Sequence, residues 1–448
     1  MRQKAIDYYH ELLVKDEYLN TTQQILQEAT ENRYLAFGKR PVCSVLRPCF
    51  IDKDTYSFVY NAARLVSTGI SLLGKRLIAD NELRKELDLT PDEETIIKFD
   101  HKYGAPDVSG RLDGFLSAEG QFNFVEYNAE SPGGLAYGDE LTDTFNKMPI
   151  IQKFGEKYHL QTFSIRKKVF ETLVLAYKRW GGDGLPNIAI VDWHGVSTYG
   201  EFLLSKECFE QNGCQVKIVD PDELEYRDNK LFAGEFRVDL IYKRVIIGEF
   251  LNKFGLNHPM IEAVKNNHVC IANALQVQML YKKSCFALLN DPLYHDTYPP
   301  EVVQALLTHI PWTRKVRECK TIYQNSNVDL VNFIVDNKNQ LVLKPNGEYG
   351  GKGVVLGWES TTEEWAGTLK TALSSSYIVQ ERVPLGQEIY PSMIDGKLSL
   401  GERFVDLDPY VWDGNQIEGC GIRLSKLALL NVTAGGGSAT PMFIISDK

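Results

Sequence analysis

The chain has 448 residues, of which 44% are hydrophobic and 24% charged, the composition of a globular rather than a disordered protein. This length predicts two or three subdomains. A formal net charge of −10 argues against non-specific nucleic-acid binding, which requires basic surface to neutralise phosphates. The sequence contains no apolar run near the roughly 20 residues of a membrane span and no apolar signal-peptide segment. We therefore expect a cytoplasmic protein without nucleic-acid or membrane partners.

The eight cysteines are scattered along the chain. They include no CxxC pair, and their spacings match no common zinc module. We expect reduced thiols, most of them buried.

The predicted elements divide the chain into four regions. Residues 1–83 are mainly helical, 84–150 contain short strands, 151–275 alternate strands with helices, and 276–448 form an α+β region. The predicted strand segments are TIIKFD, GRLDGF, QFNFVEYN, NIAIVDW, QVKIVD, VDLIYKRV and HVCIAN. Alternation of strands and helices over 151–275 predicts a parallel sheet covered by helices. The predicted fold class is therefore α/β.

Residues 110–128 predict a β-hairpin with a two-residue turn at Glu119-Gly120. Such a turn pairs residues whose numbers add to 239. The facing pairs are then Arg111 with Asn128, Asp113 with Glu126, and Phe115 with Phe124. Because strand side chains alternate, all six lie on one face.

Two carboxylates that face each other across a hairpin repel, and a divalent cation would remove that repulsion. Mg²⁺ prefers hard oxygen ligands, so Asp113, Glu126 and Asn128 are candidate ligands. Arg111 on the same face could stabilise a transferring phosphoryl group. The alternative interpretation is a solvated hairpin face with an Arg–Asp ion pair. A Pro-Gly-Gly loop follows the hairpin and gives a backbone that a ligand can approach closely.

A second constellation lies in residues 340–358, which predict a strand, a glycine-rich loop and another strand. Lys344 ends the first strand. Gly350 and Gly351 precede Lys352 in the loop, whose amides could approach phosphate oxygens. The loop lacks the glycine and the Ser/Thr positions of a Walker A motif. The alternative is a hairpin with a glycine-rich tip.

Two further segments supply weaker signals. A short apolar strand ends in Gln380-Glu381, 36 residues after Lys344, and could offer a backbone edge and a carboxylate to adenine and ribose. Arg423 precedes Asn431 and the glycine run 435–437, and could bind phosphate or a substrate carboxylate. A structural C-terminal loop explains this second segment equally well.

The motifs VLKP, GGKG and QERV, combined with the Asp…Glu-x-Asn set, resemble the ATP-grasp superfamily. In the usual order the lysine strand precedes the carboxylates, whereas here Asp113 lies more than 200 residues before Lys344. That order resembles the circularly permuted ATP-grasp proteins, including the glutathionylspermidine synthetase family. The resemblance implies an α+β ATP-grasp core, with 84–150 and 276–448 as its metal-binding and nucleotide-binding halves and 151–275 as an accessory domain.

The resemblance also implies ATP and two Mg²⁺ ions as cofactors. Asp113, Glu126 and Asn128 would bind Mg²⁺, and Arg111 would contact the reacting phosphate. The family has a further lysine that opens a short helix. Lys283 matches it best, with Lys282 as a competitor.

The implied function is an ATP-dependent ligase that joins a small-molecule or peptide carboxylate to an amine through an acyl phosphate. Two alternatives remain open, an ATP-grasp phosphotransferase and a non-catalytic nucleotide-binding module. The sequence does not identify either substrate or the oligomeric state.

Overall fold

The computed structural model describes residues 1–429 and 437–448. Its α-helices over these ranges are α1 Arg2–Leu13, α2 Asp16–Asn32, α3 Lys53–Ala79, α4 Asn81–Arg84, α5 Pro91–Ile96, α6 Leu135–Asn146, α7 Pro149–Phe154, α8 Ile165–Trp180, α9 Tyr199–Gln211, α10 Ile247–Phe254, α11 Pro259–Lys265, α12 Val277–Tyr281, α13 Ser284–Asn290, α14 Pro300–His309, α15 Leu330–Asp336 and α16 Thr362–Ser374. None of these helices has both the length and the apolar character needed to cross a membrane.

The strands within the same ranges are β1 Ala36–Phe37, β2 Arg40–Pro41, β3 Cys49–Asp52, β4 Ser109–Leu116, β5 Phe122–Asn128, β6 Tyr158–Gln161, β7 Ile188–Val191, β8 Val216–Val219, β9 Leu224–Arg227, β10 Lys230–Ala233, β11 Phe236–Val238, β12 Leu240–Lys243, β13 Cys270–Ala272, β14 Thr313–Lys315, β15 Lys320–Tyr323, β16 Ser326–Asp329, β17 Leu341–Pro345, β18 Val355–Leu356, β19 Tyr377–Glu381, β20 Gln387–Ile394, β21 Lys397–Val405, β22 Asp408–Trp412, β23 Gln416–Gly421, β24 Arg423–Ser425, β25 Gly437–Ala439 and β26 Met442–Asp447.

The parallel sheet predicted for the accessory region is confirmed. It has the order β13-β12-β7-β8, and every neighbouring pair is parallel. The strand β7 is buried along its whole length, as its continuous apolar sequence IAIV predicts for a strand covered on both faces. The α/β class is therefore correct.

The strand predicted at TIIKFD is wrong, because α5 occupies the start of this segment. Thr90 caps the helix by accepting from the amide of Glu93, whose side chain accepts from the Thr90 amide in return. Pro91 at the first helical position adds a preset backbone angle. These start signals outweigh the strand preference of the two isoleucines that follow.

The long helix α3 runs through the main hydrophobic core. Asp52 caps it by accepting from the amide of Thr55 at 2.8 Å. Its buried face packs against α14, where Gly69 leaves room for Leu306: a Cβ at Gly69 would lie 2.9 Å from a Leu306 methyl group. All eight cysteines fall within the described residues and are free, five of them buried.

The sheet that carries the predicted hairpin has the order β23-β22-β4-β5. The strand β22 pairs with β4 although almost 300 residues separate them, with Tyr410 opposite Arg111. This sheet therefore combines residues from the second and fourth predicted regions. The four-region division itself remains a prediction.

The predicted turn of the hairpin is wrong by one residue. Leu116 faces Phe122, and the amide of Ser117 donates to the carbonyl of Gln121 at 2.8 Å. The loop between them has three residues and ends on Gly120 at φ +84°. A three-residue loop with a left-handed glycine in third place is a common alternative to the two-residue turn.

A β-bulge at Val125 restores the predicted register where the polar residues lie. Asp113 faces Glu126, but the next pair is Gly114 with Phe124, so Val125 is an extra residue in β5. Arg111 faces Asn128, as predicted. The predicted Phe115–Phe124 pair is wrong, because Phe115 lies before the bulge and faces Asn123 instead.

A second sheet, with the order β14-β19-β17-β18, carries the lysine strand. The predicted strand–loop–strand arrangement is confirmed, since β17 and β18 pair on either side of the glycine-rich loop. The strand β19 lies between β14 and β17 and is paired on both sides at Gln380. It therefore presents no open backbone edge there, which corrects the expectation drawn from the sequence.

Candidate functional site

A cavity of about 610 Å³ lies between the sheet β23-β22-β4-β5 (the hairpin sheet), the sheet β14-β19-β17-β18 (the lysine sheet) and the region around the parallel sheet β13-β12-β7-β8. Every site residue proposed from the sequence lines it, although these residues come from five separate segments. The twelve are Arg111, Asp113, Glu126, Asn128, Lys283, Lys344, Gly350, Gly351, Lys352, Gln380, Glu381 and Arg423. The volume lies within the range of small-molecule sites.

On the side of the cavity formed by the hairpin, Arg111 forms a bidentate ion pair with Asp113. Its Nε and Nη2 atoms donate to the two carboxylate oxygens at 2.7 and 3.0 Å. The Nη1 atom donates to the carbonyl of Gly133 at 2.6 Å, which ties the Pro-Gly-Gly loop to the strand. With all three nitrogens bonded, the guanidinium is fixed in orientation.

Arg423 joins the same cluster from β24. Its Nη2 atom donates to Asp113 Oδ2 at 2.8 Å, and its Nε atom contacts Asp406 at 2.7 Å and Asp408 at 2.9 Å. Burial tends to raise the pKa of Asp113, but Arg111 and Arg423 outweigh burial and lower that pKa to about 2. Asp113 is therefore ionised at neutral pH.

The sequence interpretation missed Asp406 and Asp408, both fully buried. Burial raises the pKa of Asp408 well above its ordinary value, although Arg423 opposes the shift. The signal was present as VDLDP, two carboxylates at alternate positions in an otherwise apolar segment. Alternation places them on one face, where burial without a cationic partner would be costly. One cationic partner, Arg423, follows them across a turn, whereas the other, Arg111, lies almost 300 residues away in sequence and is brought near by the pairing of β22 with β4.

Glu126 and Asn128 face the cavity next to this cluster. Glu126 Oε1 lies 3.2 Å from Lys283 Nζ. The Nδ2 atom of Asn128 is buried and has no hydrogen-bond partner among the described residues. A buried amide without a partner is costly, which is consistent with a site that a ligand completes.

Lys283 lines the cavity and Lys282 does not. The segment QVQMLYKKSCFALL has a helical period but forms two helices, because Lys282 has an extended backbone between α12 and α13. Asn346 holds the break: it accepts from the amides of Lys283 and Ser284 at 3.0 and 2.8 Å. The Lys283 ammonium contacts the carbonyl of Glu348, whereas Lys282 pairs with Glu93 at 2.9 Å.

Lys344 is buried at the head of the lysine sheet with only neutral hydrogen-bond partners among the contacts described. Its Nζ atom donates to Gln380 Oε1 at 2.6 Å and to the carbonyl of the bulge residue Val125 at 3.2 Å. Gln380 is held in turn by Thr313, at 3.0 Å. Burial lowers the pKa of Lys344 to about 8, with Glu126 opposing the shift. Among the described residues the lysine thus faces the cavity without an ion-pair partner within 4 Å.

The glycine-rich loop closes one side of the cavity. Gly350 and Gly351 have φ angles of +63° and +74°, which favour glycine. The loop is joined to α10 of the accessory domain by the hydroxyl of Tyr349, which donates to Glu249 at 2.9 Å. Lys352 projects outward, with its side chain 76% exposed and 3.0 Å from Glu348.

Glu381 also lines the cavity, and the hydroxyl of Tyr323 donates to it at 2.7 Å. Of the C-terminal segment suggested for phosphate binding, Arg423 is described above. Asn431, Gly435 and Gly436 lie outside the described residues.

The fold is a mixed α/β architecture in which one cavity is lined by two sheets and by the region around the parallel sheet. A family model described as a circularly permuted ATP-grasp matches residues 112–380, more than half of the chain. The chain therefore belongs to the circularly permuted ATP-grasp family, and the resemblance seen in the sequence is confirmed. Membership implies the use of ATP.

Relatives and a solved structure agree with this assignment. The chain is 26% identical over 348 residues to a putative glutamate–cysteine ligase of Frankia casuarinae, covering 73% of this chain and 37% of that protein. It is 28% identical over 346 residues to an uncharacterized protein of Mycobacterium tuberculosis, covering 73% and 58%. The chain thus matches less than two thirds of the length of either relative.

The structure of a glutathione synthetase-like effector from Globodera pallida, in its apo form, superposes with a TM-score of 0.61. The match covers 96% of this chain and 98% of the effector. At 13% identity, this likeness concerns the fold alone.

Proposed function

We propose that this chain is an ATP-dependent carboxylate–amine ligase that forms an amide bond through an acyl phosphate. The observation that carries the proposal is the convergence of Lys344, Lys283, Arg111 and Arg423 on one cavity. Four cationic side chains from distant segments form a receptacle for a polyphosphate. The relative's name, glutamate–cysteine ligase, denotes the joining of a carboxylate to an amine and supports the same reaction class.

ATP would lie against the lysine sheet. Val342 and Leu356, which are neighbours across β17 and β18, line the cavity and offer an apolar surface to adenine. Glu381 could accept from the ribose. Lys344 and Lys283 would contact phosphate oxygens, and the loop at Gly350 could bring amides close to them.

The residues on the hairpin fit Mg²⁺. The proposed ligands are two carboxylates and an amide; within the described residues no three His, Cys, Asp or Glu side chains are grouped to hold a metal. Asp113 accepts three hydrogen bonds from arginines, and a carboxylate has about four acceptor positions. Glu126 and Asn128 complete the set of hard oxygen donors. Mg²⁺ held there would neutralise charge on the β- and γ-phosphates.

The first step transfers the γ-phosphoryl group. A substrate carboxylate oxygen forms a bond to the γ-phosphorus while the bond from that phosphorus to the β–γ bridging oxygen breaks, and ADP leaves. Arg111, fixed by three hydrogen bonds, would stabilise charge on the transferring group without reorganising. In the second step the amine nitrogen attacks the acyl carbon, inorganic phosphate leaves, and the nitrogen loses a proton.

ADP and phosphate release should be measured across panels of amino acids, peptides and amines, polyamines included. The expected result is release that requires both an acid and an amine, with an amide product of matching mass. A glutathionylspermidine synthetase-like enzyme would respond to a glutathione-type peptide with a polyamine. ADP release with a phosphorylated acceptor and no free phosphate would indicate a phosphotransferase. ATP binding without turnover on any pair would indicate a binding module.

The role of Mg²⁺ is tested separately. Turnover should disappear in excess EDTA and return with added Mg²⁺. Glu126→Gln keeps the side-chain shape but removes one charge, and should weaken metal affinity and turnover together. Undiminished turnover in EDTA would overturn the metal assignment and leave the lysines and arginines to neutralise the phosphates.

A further inference from the structure

The cavity continues beyond the two arginines into a region that we term the apolar limb. Phe37, Val42, Phe163, Ile165 and Met442 line it. These side chains come from the N-terminal region, from the start of α8 and the segment before it, and from β26. None of them belongs to the lysine sheet. The limb therefore offers space to a molecule other than ATP.

Strand pairing places the limb directly beside the arginines. Tyr410 is the partner of Arg111 across β22 and β4, and Ala439 is the partner of Arg423 across β24 and β25. Both partners line the cavity. The amide of Ala439 in turn donates to the carbonyl of Val42 at 2.8 Å, which joins the arginine cluster to the wall of the limb.

Glycines bring the walls of the limb close to one another. A Cβ at Gly138 of α6 would lie 3.6 Å from the Tyr410 hydroxyl, and one at Gly421 would lie 3.0 Å from it. At Gly419 a Cβ would be only 2.4 Å from a methyl carbon of Ile165. The walls of the limb are thus closely packed at these glycines, where larger side chains would not fit.

Two threonine hydroxyls that line the limb are already engaged within the protein. Thr142 donates its hydroxyl to the carbonyl of Gly138 at 2.9 Å, and Thr440 donates to the carbonyl of Arg47 at 2.9 Å. The charged side chains that line this end of the cavity in the described residues belong to the arginine–aspartate cluster at its mouth. The opposite wall differs, because Asp192, Arg244 and Glu249 line the cavity on the accessory-domain side.

We infer that the apolar limb binds the acyl donor, and that this donor is a carboxylic acid with a bulky apolar or aromatic group next to its carboxylate. The carboxylate would face Arg111 and Arg423 while the apolar group fills the limb. The polar accessory-domain wall is left to the amine. The inference rests on the ligase proposal and specifies the substrate class of the same site.

Three acids of one design test the inference: N-acetylglycine, N-acetylphenylalanine and N-acetylaspartate. With ATP and Mg²⁺, hydroxylamine traps an acyl phosphate as a hydroxamate, so the natural amine is not required. We expect kcat/KM for N-acetylphenylalanine to exceed that of the other two by about tenfold or more, the discrimination that one apolar pocket commonly gives. Calorimetric binding of the same acids, in the presence of a non-hydrolysable ATP analogue, provides a readout that does not depend on turnover.

Substitutions in the limb test whether its side chains cause the preference for N-acetylphenylalanine. Phe163→Ala and Phe37→Ala should each reduce discrimination between the phenylalanine and glycine derivatives, and Phe163→Leu should restore most of it. Phe58→Ala is the matched control, because Phe58 is a 40% exposed aromatic residue outside the cavity. It should leave discrimination unchanged. The comparison of acids in the unaltered protein stands even where a variant fails to fold.

The outcomes separate the two proposals. Equal use of the three acids, or a preference for glycine or aspartate, would overturn the limb assignment and leave the ligase intact. Hydroxamate from none of them, with tighter calorimetric binding of N-acetylphenylalanine, would overturn the ligase and retain the limb as an apolar binding site. Absence of both hydroxamate and binding would overturn the inference.

Discussion

The cavity has two cationic regions that differ in how their positive charges are paired. In the arginine cluster, Arg111 and Arg423 are paired with Asp113, Asp406 and Asp408 at 2.6 to 3.7 Å. In the lysine sheet, Lys344 is only 9% exposed, and its ammonium bonds to an amide and a carbonyl oxygen. The aspartates thus hold the two guanidinium groups in place. Among the described residues, the Lys344 ammonium has no carboxylate within ion-pairing distance.

This difference predicts different roles. A guanidinium already paired with carboxylates gains less from a further anion in the ground state than an unpaired cation does, but its fixed orientation allows it to orient an anion and to stabilise charge that develops during transfer. A buried lysine without a close counter-ion gains an ion pair as soon as a phosphate arrives. We therefore expect substitutions in the arginine cluster to lower kcat, and substitution of Lys344 to weaken ATP binding.

The largest effect is expected from Arg111→Ala. Loss of one preorganised donor to a transition state commonly costs about 100- to 1000-fold in kcat. KM for ATP should change far less, since Arg111 is compensated in the ground state. Steady-state kinetics with Arg227→Ala, a surface arginine paired with Glu225, gives the control. Normal turnover in Arg111→Ala would mean that Arg111 has only a structural role, as the ion-pair partner of Asp113.

Lys344→Met should have the next largest effect. A methionine keeps the bulk of the side chain but removes its charge, so ATP affinity should fall at least about tenfold, or about 1.4 kcal/mol. Titration calorimetry measures this directly, with thermal unfolding to confirm the fold. Lys370→Met, an exposed lysine on α16, is the matched control. Unchanged affinity would remove Lys344 from the nucleotide site.

The same lysine predicts a pH dependence of ATP binding. Its pKa of about 8 in the free protein means that the ammonium loses its proton as the pH rises through 8. A bound phosphate favours the charged form, so ATP affinity should be highest below pH 8 and fall by up to about tenfold per pH unit above it. Lys344→Arg, which stays charged, should flatten this dependence between pH 7.5 and about 9.5. A flat profile in the unaltered protein would contradict the shifted pKa.

The sequence correctly predicted that Asp113 faces Glu126, but only because two errors in the predicted hairpin cancel each other. The loop has three residues instead of two, and the bulge at Val125 compensates. Alternation and turn chemistry are local, so they give the face of a strand reliably. A bulge depends on its surroundings: here the carbonyl of Val125 accepts from Lys344, which lies 219 residues away.

Other features depended on contacts that no local pattern records. The break between α12 and α13 is held by Asn346, 62 residues further along the chain, and the helical period of the sequence continues through it. Asp406 and Asp408 join the site only because β22 pairs with β4. The sequence identified residues with strong local signatures, and the pairing of distant strands determined which others joined them.

The smallest effect is expected from Lys352→Ala, although Lys352 lies in the loop that first suggested a phosphate site. Its side chain is 76% exposed and pairs with Glu348 at 3.0 Å, an arrangement that contributes little in water. Unlike Lys344, it stays largely hydrated in the folded protein, so a phosphate gives it less new stabilisation. We expect ATP affinity to fall by about threefold or less, as measured by the calorimetry used for Lys344→Met. A loss as large as that of Lys344→Met would show that the loop folds inward over bound ATP. Both lysines would then bind the phosphates of ATP.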